Sequence, residues 1–247
     1  MRMEINALHF QKSIEPFLGI LPEGEILLQC DEKEILVRMK DPSHVAFVLM
    51  TLDVETAKRD GIIGIYSEPQ NFVLVLEPTI HALKQIEDRV LITVSEKGVI
   101  LEGKEFRRRF SLFDTSSYIV EKVLTFTPKV SETFKFQRLK KMLKELEKVR
   151  DSVIIKAIPG MVSLTAVSDT DSMKFMMLGT NTELTARSVY PIDFLNKIMK
   201  YLSPLEGEIE LAWDMDYPLT MKYERACSDF TILLAPKFDD NEMKEDE

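Results

Sequence analysis

The chain has 247 residues, of which 45% are hydrophobic and 30% charged, and its formal net charge is −9. This composition is typical of a folded protein and excludes a disordered one, and the length allows one large domain or two domains of about 120 residues. No run of eighteen apolar residues occurs, and residues 1–7 lack an apolar signal core, so we expect a protein that remains inside the cell.

The first half of the chain reads as helix, strands, helix and strands. A helix is predicted over residues 7–21, and Pro16 should kink or end it because proline removes a helical hydrogen bond. The turn 41–43 places His44 at the head of a strand, residues 53–70 show little period, and a second helix begins near Pro78 and Thr79. The predicted strands are 25–31, 34–40, 45–52, 72–76, 89–95, 98–103 and 105–113.

The second half repeats this plan after an extended connector at 114–128. A basic helix is predicted over residues 136–150, with Leu139, Leu143 and Leu146 on its apolar stripe. Another helix is predicted over 191–202, with Phe194 among the residues that face inward. The predicted strands are 152–157, 161–167, 172–178, 182–188, 208–214, 218–224 and 229–235.

The repeated order of elements indicates duplication of a unit of roughly 115 residues. We predict a first domain at 1–113, the connector at 114–128, a second domain at 129–238 and an acidic C-terminal tail at 239–247.

All four predicted helices carry basic residues off their apolar stripes, although the protein is acidic. A single helix of this kind is usually a solvated face with Lys/Glu partners, but the repetition raises the expectation of one basic surface. The helix lysines are Lys12, Lys84, Lys140, Lys141, Lys144, Lys148, Lys197 and Lys200.

The sequence gives no positive evidence for an enzyme. His9, His44 and His81 are scattered, and none has a cysteine or carboxylate at metal-ligand spacing. Glycine-rich phosphate loops, G-x-S-x-G and H-E-x-x-H are all missing from the sequence. We therefore predict no catalytic residue, metal or cofactor. Cys30 and Cys227 lie in strand-like contexts and are expected to be buried thiols.

Three segments carry a resemblance: R-M-K-D-P-S-H-V-A-F-V-L-M-T-L at 38–52, Y-P-L-T-M-K-Y-E at 217–224 and I-L-L-A-P-K-F at 232–238. Together they resemble the proliferating cell nuclear antigen family, the sliding clamps that give processivity to archaeal and eukaryotic DNA polymerases. The resemblance implies an α+β DNA-clamp fold with two duplicated domains per chain and a pseudo-sixfold trimeric ring, lined by helices, around duplex DNA.

The implied contact with DNA is independent of base sequence, since lysines attract phosphates and a clamp must slide. The residues expected to face DNA are Lys12, Lys84, Arg108, Lys140, Lys141, Lys144, Lys148, Lys197 and Lys200.

The resemblance also implies an apolar pocket for short peptide motifs of DNA polymerase, flap endonuclease, DNA ligase and the clamp loader. Carried over residue by residue, the pocket comprises Lys40, His44, Val45, Phe47, Tyr118, Ile119, Val120, Pro218, Ala235, Pro236 and Phe238. The same strand residues could instead belong to the ordinary core.

Subunits of this family join edge to edge, which implies pairing of residues 106–112 with 173–178 of another copy. The run M-K-F-M-M-L is unusually apolar for an edge strand, and it could also be a buried strand. The implied interface residues are Phe106, Phe110, Leu112, Met173, Phe175 and Met177.

Three departures from the family pattern are Pro16, residues 53–70 and Lys40 beside the pocket. They leave open whether the ring is a homotrimer or whether this chain is an accessory or checkpoint-type subunit of a hetero-trimer. An unrelated two-domain enzyme with a deep polar pocket is a third hypothesis. The clamp reading implies a non-enzymatic, DNA-associated protein of the cytoplasm, or of the nucleus in a eukaryote, without a membrane association.

Overall fold

The chain divides into two compact units. Unit 1 comprises Met1–Val123 with Glu224–Phe230, and unit 2 comprises Leu124–Tyr223 with Thr231–Glu247. A computed structural model describes residues 1–21, 24–118, 126–179, 184–202, 207–225 and 227–237. The division between the units falls inside the predicted connector, and the predicted acidic tail lies outside the described residues. The finer domain boundaries remain predictions.

Unit 1 consists of strands in which alternate side chains are buried, and of helices that come directly after a strand in the chain. The elements are β1 (Arg2–Asn6), α1 (Ala7–Ile14), β2 (Glu25–Cys30), β3 (Glu34–Lys40), β4 (Ala46–Asp53), α2 (Val54–Arg59), β5 (Ile63–Ile65), β6 (Phe72–Val75), α3 (Leu76–Leu83), β7 (Arg89–Ser95), β8 (Gly98–Glu102) and β9 (Arg107–Phe110). Short 3-10 helices lie at Glu15–Gly19 and Thr115–Ser117. The strands form the order β5-β1-β7-β8-β9 in one sheet and β4-β3-β2-β6 in another.

Unit 2 has the same plan with fewer elements among its described residues. The elements are β10 (Val130–Lys135), α4 (Phe136–Leu146), β11 (Ser152–Ile158), β12 (Met161–Val167), β13 (Ser172–Leu178), β14 (Ala186–Pro191), α5 (Ile192–Tyr201), β15 (Glu208–Trp213), β16 (Leu219–Arg225) and β17 (Ser228–Leu234). The strands form the orders β10-β15-β16-β17 and β13-β12-β11-β14.

Strand pairing confirms the duplication that the element order predicted. β1 pairs with β7 in unit 1 as β10 pairs with β15 in unit 2, and all these pairs are antiparallel. β2 pairs with β3 and β6 as β11 pairs with β12 and β14. In each unit a strand leads directly into the first helix, so two equivalent helices lie at equivalent points of the two repeats.

The predicted elements differ from the structure in identifiable places. The α-helix predicted over 7–21 ends at Ile14, close to Pro16 as the proline predicted, and residues 15–19 form a 3-10 helix instead of continuing it. Residues 53–70 hold α2 and β5, which the weak period did not predict, and β1 and β10 were also missed. The basic helix is shorter than predicted and ends at Leu146.

Helical periodicity predicted the buried stripe of α4 correctly. Leu139, Leu143 and Leu146 of α4 are each at most 1% exposed, as predicted from their spacing. Phe194 of α5 was predicted to face inward, but it is half-exposed, and Met199 is buried instead. The buried stripes of α4 and α5 leave their charged sides to solvent, so the periodicity that builds the core also positions the candidate site.

Candidate nucleic-acid interface and partner-binding residues

The outward face of unit 2 is formed by α4 and α5, which pack side by side. The amide of Asn196 on α5 donates a 2.8 Å hydrogen bond to Oε2 of Glu147, just past the end of α4. On this face the side chains of Lys141, Lys144, Lys148, Lys197 and Lys200 are exposed, and Lys140 is half-buried. Five of the nine residues predicted to face DNA therefore lie on this helix pair, and a sixth, Lys148, lies in the turn just past α4.

The lysines of this face differ in their ion pairing. Lys148 lies 2.6 Å from Glu145, and Lys197 lies 3.3 Å from Asp193. Within the described part of the chain, neither Lys141 nor Lys144 has a carboxylate oxygen within 4 Å. Such exposed pairs are weak and screened by salt, so they reduce the attraction to an anion without removing it.

Lys140 is the least solvated of these lysines. Its ammonium lies over the ring of Phe136, 5.9 Å from the centroid. Burial, followed by repulsion from the ammonium of Lys144, lowers the pKa of Lys140. A phosphate near this pair would relieve that repulsion, since it brings negative charge to a cluster of like charges.

The three candidates in unit 1 are held differently. Lys12 lies 2.6 Å from Glu15, and the two side chains are only 27% and 13% exposed. Lys84 is exposed at the C-terminal end of α3. Arg108 of β9 donates a 3.2 Å hydrogen bond to the carbonyl oxygen of Pro78 and lies over the ring of Phe110. Of these, Lys84 is the cation most open to solvent.

The turn before β4 is held by a buried carboxylate. Asp41 is 3% exposed and accepts hydrogen bonds from the backbone N–H groups of Ser43, at 3.0 Å, and Ala46, at 2.5 Å. Burial alone would raise the pKa of Asp41, but the bonds from Ala46 and Ser43 outweigh it and lower the pKa. The turn precedes a strand, as the Asp-Pro-Ser signal predicted, although β4 begins at Ala46, two residues after His44. His44 itself has φ 63° and an exposed side chain.

The other unit 1 residues of the predicted peptide pocket are less open. Phe47 is 6% exposed and belongs to the core, whereas Val45 and Lys40 are half-buried. The hydroxyl of Tyr118 donates to a carboxylate oxygen of Glu25, and burial together with this carboxylate raises the pKa of Tyr118 to about 12. Ile119 and Val120 lie outside the described residues.

The residues of unit 2 that were predicted to line the peptide pocket lie close to the start of β16 and the end of β17. Pro218, Ala235 and Pro236 are all half-buried, and Phe238 lies outside the described residues. The segment after β17 is fixed by Lys237, whose N–H donates to the carbonyl oxygen of Val189 at 2.8 Å.

Sequence reasoning missed an aromatic pair in unit 2. The rings of Phe126 and Tyr217 meet edge to face, with centroids 5.4 Å apart. The carbonyl oxygen of Tyr217 also accepts a 2.7 Å hydrogen bond from the hydroxyl of Tyr190. The aromatic residue directly before Pro218 was the available sequence signal.

Both strands predicted to join subunits lie at sheet edges. β9 is the last strand of its sheet, and β13 is the first strand of another. β9 is shorter than predicted, so Phe106 and Leu112 flank it, and Phe110 is 8% exposed. On β13 the predicted Met173, Phe175 and Met177 are half-buried, whereas Met176 and Leu178 on the opposite face are 61% and 91% exposed. These two exposed side chains were missed because period two alone does not say which face is covered.

Unit 1 also contains an open cleft of about 630 Å³. Its lining mixes apolar Ile86, Leu91 and Phe106 with charged residues such as Glu102 and Arg89. Its described lining contains neither histidine nor cysteine, and the described residues hold no cluster of three or more potential metal ligands.

The described helices include none long and apolar enough to cross a membrane. Cys30 and Cys227 are buried free thiols, as predicted.

Comparison with solved structures gives the class of fold. The chain matches the A. fulgidus PCNA bound to the C-terminal region of FEN-1 with a TM-score of 0.82 at 19% identity, over 96% of this chain and 98% of that one. It matches PCNA from Thermococcus kodakaraensis with a TM-score of 0.78 at 21% identity, over 95% and 100% of the two chains. A PCNA2–PCNA3 complex from Sulfolobus tokodaii gives 0.76 at 22% identity, over 96% and 99%. The fold is therefore that of the PCNA clamps.

Sequence comparison agrees with the fold. No protein-family model matches the chain. A DNA polymerase sliding clamp of Methanococcoides burtonii is 25% identical over 250 residues, which cover 95% of this chain and 97% of that protein. The resemblance predicted from the sequence, to the sliding clamps of the proliferating cell nuclear antigen family, is confirmed as a full-length similarity in sequence and in fold.

Proposed function

We propose that this protein is a DNA sliding clamp, which encircles duplex DNA and tethers DNA polymerase and other replication and repair proteins to it. The observation that carries the proposal is the basic outward face of α4 and α5. This face belongs to a protein that has a clamp fold and a formal net charge of −9. The protein acts as a scaffold and performs no catalysis of its own.

The lysines of the helix faces hold DNA through its phosphates. Each phosphate contact releases condensed counterions, so the attraction is independent of sequence and weakens as salt rises. Lys141 and Lys144 offer charge without the directional set of Asn, Gln and Arg that reads base edges in the major groove. Such contacts allow sliding, because every phosphate along the duplex is equivalent. The acidic remainder of the protein repels DNA from other surfaces.

The ring is proposed to be a homotrimer closed by β9 of one copy against β13 of the next. Both strands lie at sheet edges. On β13 the apolar side chains of Met176 and Leu178 are exposed, and an edge of this kind is usually covered by a partner, whereas β9 contributes three arginines at 107–109 and the buried Phe110. The interface candidates remain Phe106, Phe110, Leu112, Met173, Phe175 and Met177, with the exposed Met176 and Leu178 added.

Partner proteins are proposed to insert short peptide motifs at the residues carried over from the family. DNA polymerase, flap endonuclease, DNA ligase and the clamp loader are the expected partners. Aromatic and aliphatic groups with few charges suit the capture of a peptide's aromatic anchors. Replacement of Pro236 and Phe238 by Ala should abolish binding of such peptides in calorimetric titrations, and normal binding would place the pocket elsewhere.

The direct test of the clamp function removes the charge of α4. Substitution of Lys140, Lys141, Lys144 and Lys148 by Ala should weaken association with a fluorescent duplex at low salt, without changing folding or solution mass. The matched control replaces Lys33, Lys58, Lys97 and Lys104, four exposed lysines of unit 1 outside α1 and α3, so that the change in net charge is equal. Equal DNA binding by the two quadruple variants would refute the role of the basic face.

A further inference from the structure

The helix faces of the two units differ in charge, although the units share one fold. In unit 2, α4 with its last turn (136–148) carries five basic and two acidic residues, and α5 carries two basic and one acidic. In unit 1, residues 7–15 carry one of each sign, and residues 76–84 carry one of each sign. With histidine neutral, the excess is four positive charges in unit 2 and none in unit 1.

Side-chain geometry increases this difference. In unit 1, Lys12 is close to Glu15 and is largely covered, while Glu77 projects from α3 into solvent. In unit 2, Lys141 and Lys144 are exposed, and none of the described carboxylate oxygens lies within 4 Å of either, so the charge of Lys141 acts on the carboxylate of Glu145 only at longer range. A cation already paired with a carboxylate gains less from a phosphate, because the phosphate must compete with an existing partner.

The other outward side chains of α1 and α3 do not restore the attraction, and the guanidinium of Arg108 on β9, beside α3, is half-buried and already donates to the carbonyl oxygen of Pro78. Leu8 on α1 is 58% exposed, and His81 on α3 is exposed on the same side as Glu77. An apolar side chain offers a phosphate neither charge nor a hydrogen bond. The outward face of α1 and α3 is therefore close to electroneutral, whereas that of α4 and α5 is strongly basic.

We infer that α4 and α5 of unit 2 supply most of the electrostatic attraction between this protein and the DNA phosphates. The helix pair of unit 1 is a neutral surface that contributes little to this attraction. The inference rests on the proposed clamp function and narrows the nine predicted DNA-facing residues to those of α4 and α5.

Paired substitutions in the full-length protein test this assignment. We would measure the affinity for a fluorescent duplex over a range of salt concentrations and plot log K against log salt. The slope of this plot is negative, and each lost phosphate contact should reduce its magnitude by about 0.9. The unit 2 pair K141Q/K144Q is expected to reduce it by up to about 1.8, and the unit 1 pair K12Q/K84Q by less than about 0.3. The control pair K97Q/K104Q removes the same charge from exposed loops.

A gain-of-charge variant tests the cause of the difference. If the lack of net charge limits DNA binding by the unit 1 face, Glu77→Lys should strengthen DNA association and increase the magnitude of the slope by about 0.9. An unchanged slope would overturn that explanation.

The outcomes separate this inference from the proposed function. Equal losses for K12Q/K84Q and K141Q/K144Q, both beyond the control pair, would overturn the inference and leave the clamp function standing. A wild-type protein without salt-dependent DNA association would overturn both.

Discussion

The imidazole of His9 on α1 contacts the thiol of Cys227, with 3.4 Å between Nε2 and Sγ. The same Nε2 atom lies 3.3 Å from the hydroxyl oxygen of Ser228, which in turn lies 3.0 Å from that of Ser13. Ser13 and Ser228 are at most 1% exposed. This polar cluster holds the first helix of unit 1 against a turn contributed by the far end of the chain.

The cluster predicts that stability falls on mild acidification. Burial, followed by the charge of Arg225, lowers the pKa of His9 below its ordinary value of 6.5. The unfolded chain therefore takes up a proton more readily than the folded protein, so the contribution of neutral His9 is complete above pH 6.5 and is lost as the pH falls below it. Urea unfolding between pH 7.5 and 5 measures this loss.

Two histidine variants separate this effect from other titrating groups. His9→Asn should flatten the dependence of unfolding free energy on pH in this window, while His81→Asn, at an exposed position of α3, should leave it as in the wild type. Identical pH profiles for wild type and His9→Asn would contradict the role of this cluster.

The buried carboxylate of Asp41 should be essential to the turn that presents His44. Asp41→Asn replaces a carboxylate that accepts several backbone hydrogen bonds by an amide, and we expect a loss of about 1–3 kcal/mol in unfolding free energy. Asp31 accepts similar bonds from Lys33 and Glu34 in an exposed turn, so Asp31→Asn should cost less because water can substitute. Denaturant titration of both variants gives the comparison, and equal losses would count against burial as the cause.

Gly98 should not tolerate a side chain. Its φ is 126°, and a Cβ atom there would collide with the backbone carbonyl oxygen of Phe110 on the neighbouring strand. Gly160 also has a positive φ, 76°, but a Cβ atom there would meet nothing within 4 Å. We expect Gly160→Ala to cost about 1–2 kcal/mol for backbone strain alone and Gly98→Ala to cost clearly more. Thermal unfolding of the pair measures the difference, and similar melting temperatures would show that β9 can move aside.

The exposed face of β13 should control assembly. We expect the wild-type protein to have a solution mass near three times 28.5 kDa by light scattering. Placing lysines at Met176 and Leu178 would put charges on a surface expected to be covered, and the mass should fall towards that of one chain. Met215 is 55% exposed at a turn of unit 2, and Met215→Lys is the control for each of the two single substitutions, Met176→Lys and Leu178→Lys. A wild-type monomer at all concentrations would direct attention to different sister subunits.

Much of the fold followed from local patterns, and the failures have local causes. Leu139, Leu143 and Leu146 are buried as their spacing predicts, because a helix repeats every 3.6 residues whatever it packs against. β1 and β10 were missed, since a strand that leads directly into a helix has no turn residues to mark its end. The short α2 was missed because six residues contain too few periods to stand out.

The sequence predicted which charged residues belong to the candidate site. It did not predict which of them are exposed to solvent and which are already paired or covered. The sequence by itself determined the clamp resemblance, the duplicated plan and the basic bias of four helices, because these depend on residue type and spacing. Only the tertiary structure decided that Lys12 lies against Glu15, that Arg108 is held by the carbonyl of Pro78, and that Lys141 and Lys144 remain exposed. Coulomb attraction falls with distance and is screened by water, so the value of a charge depends on neighbours and burial that folding alone brings together.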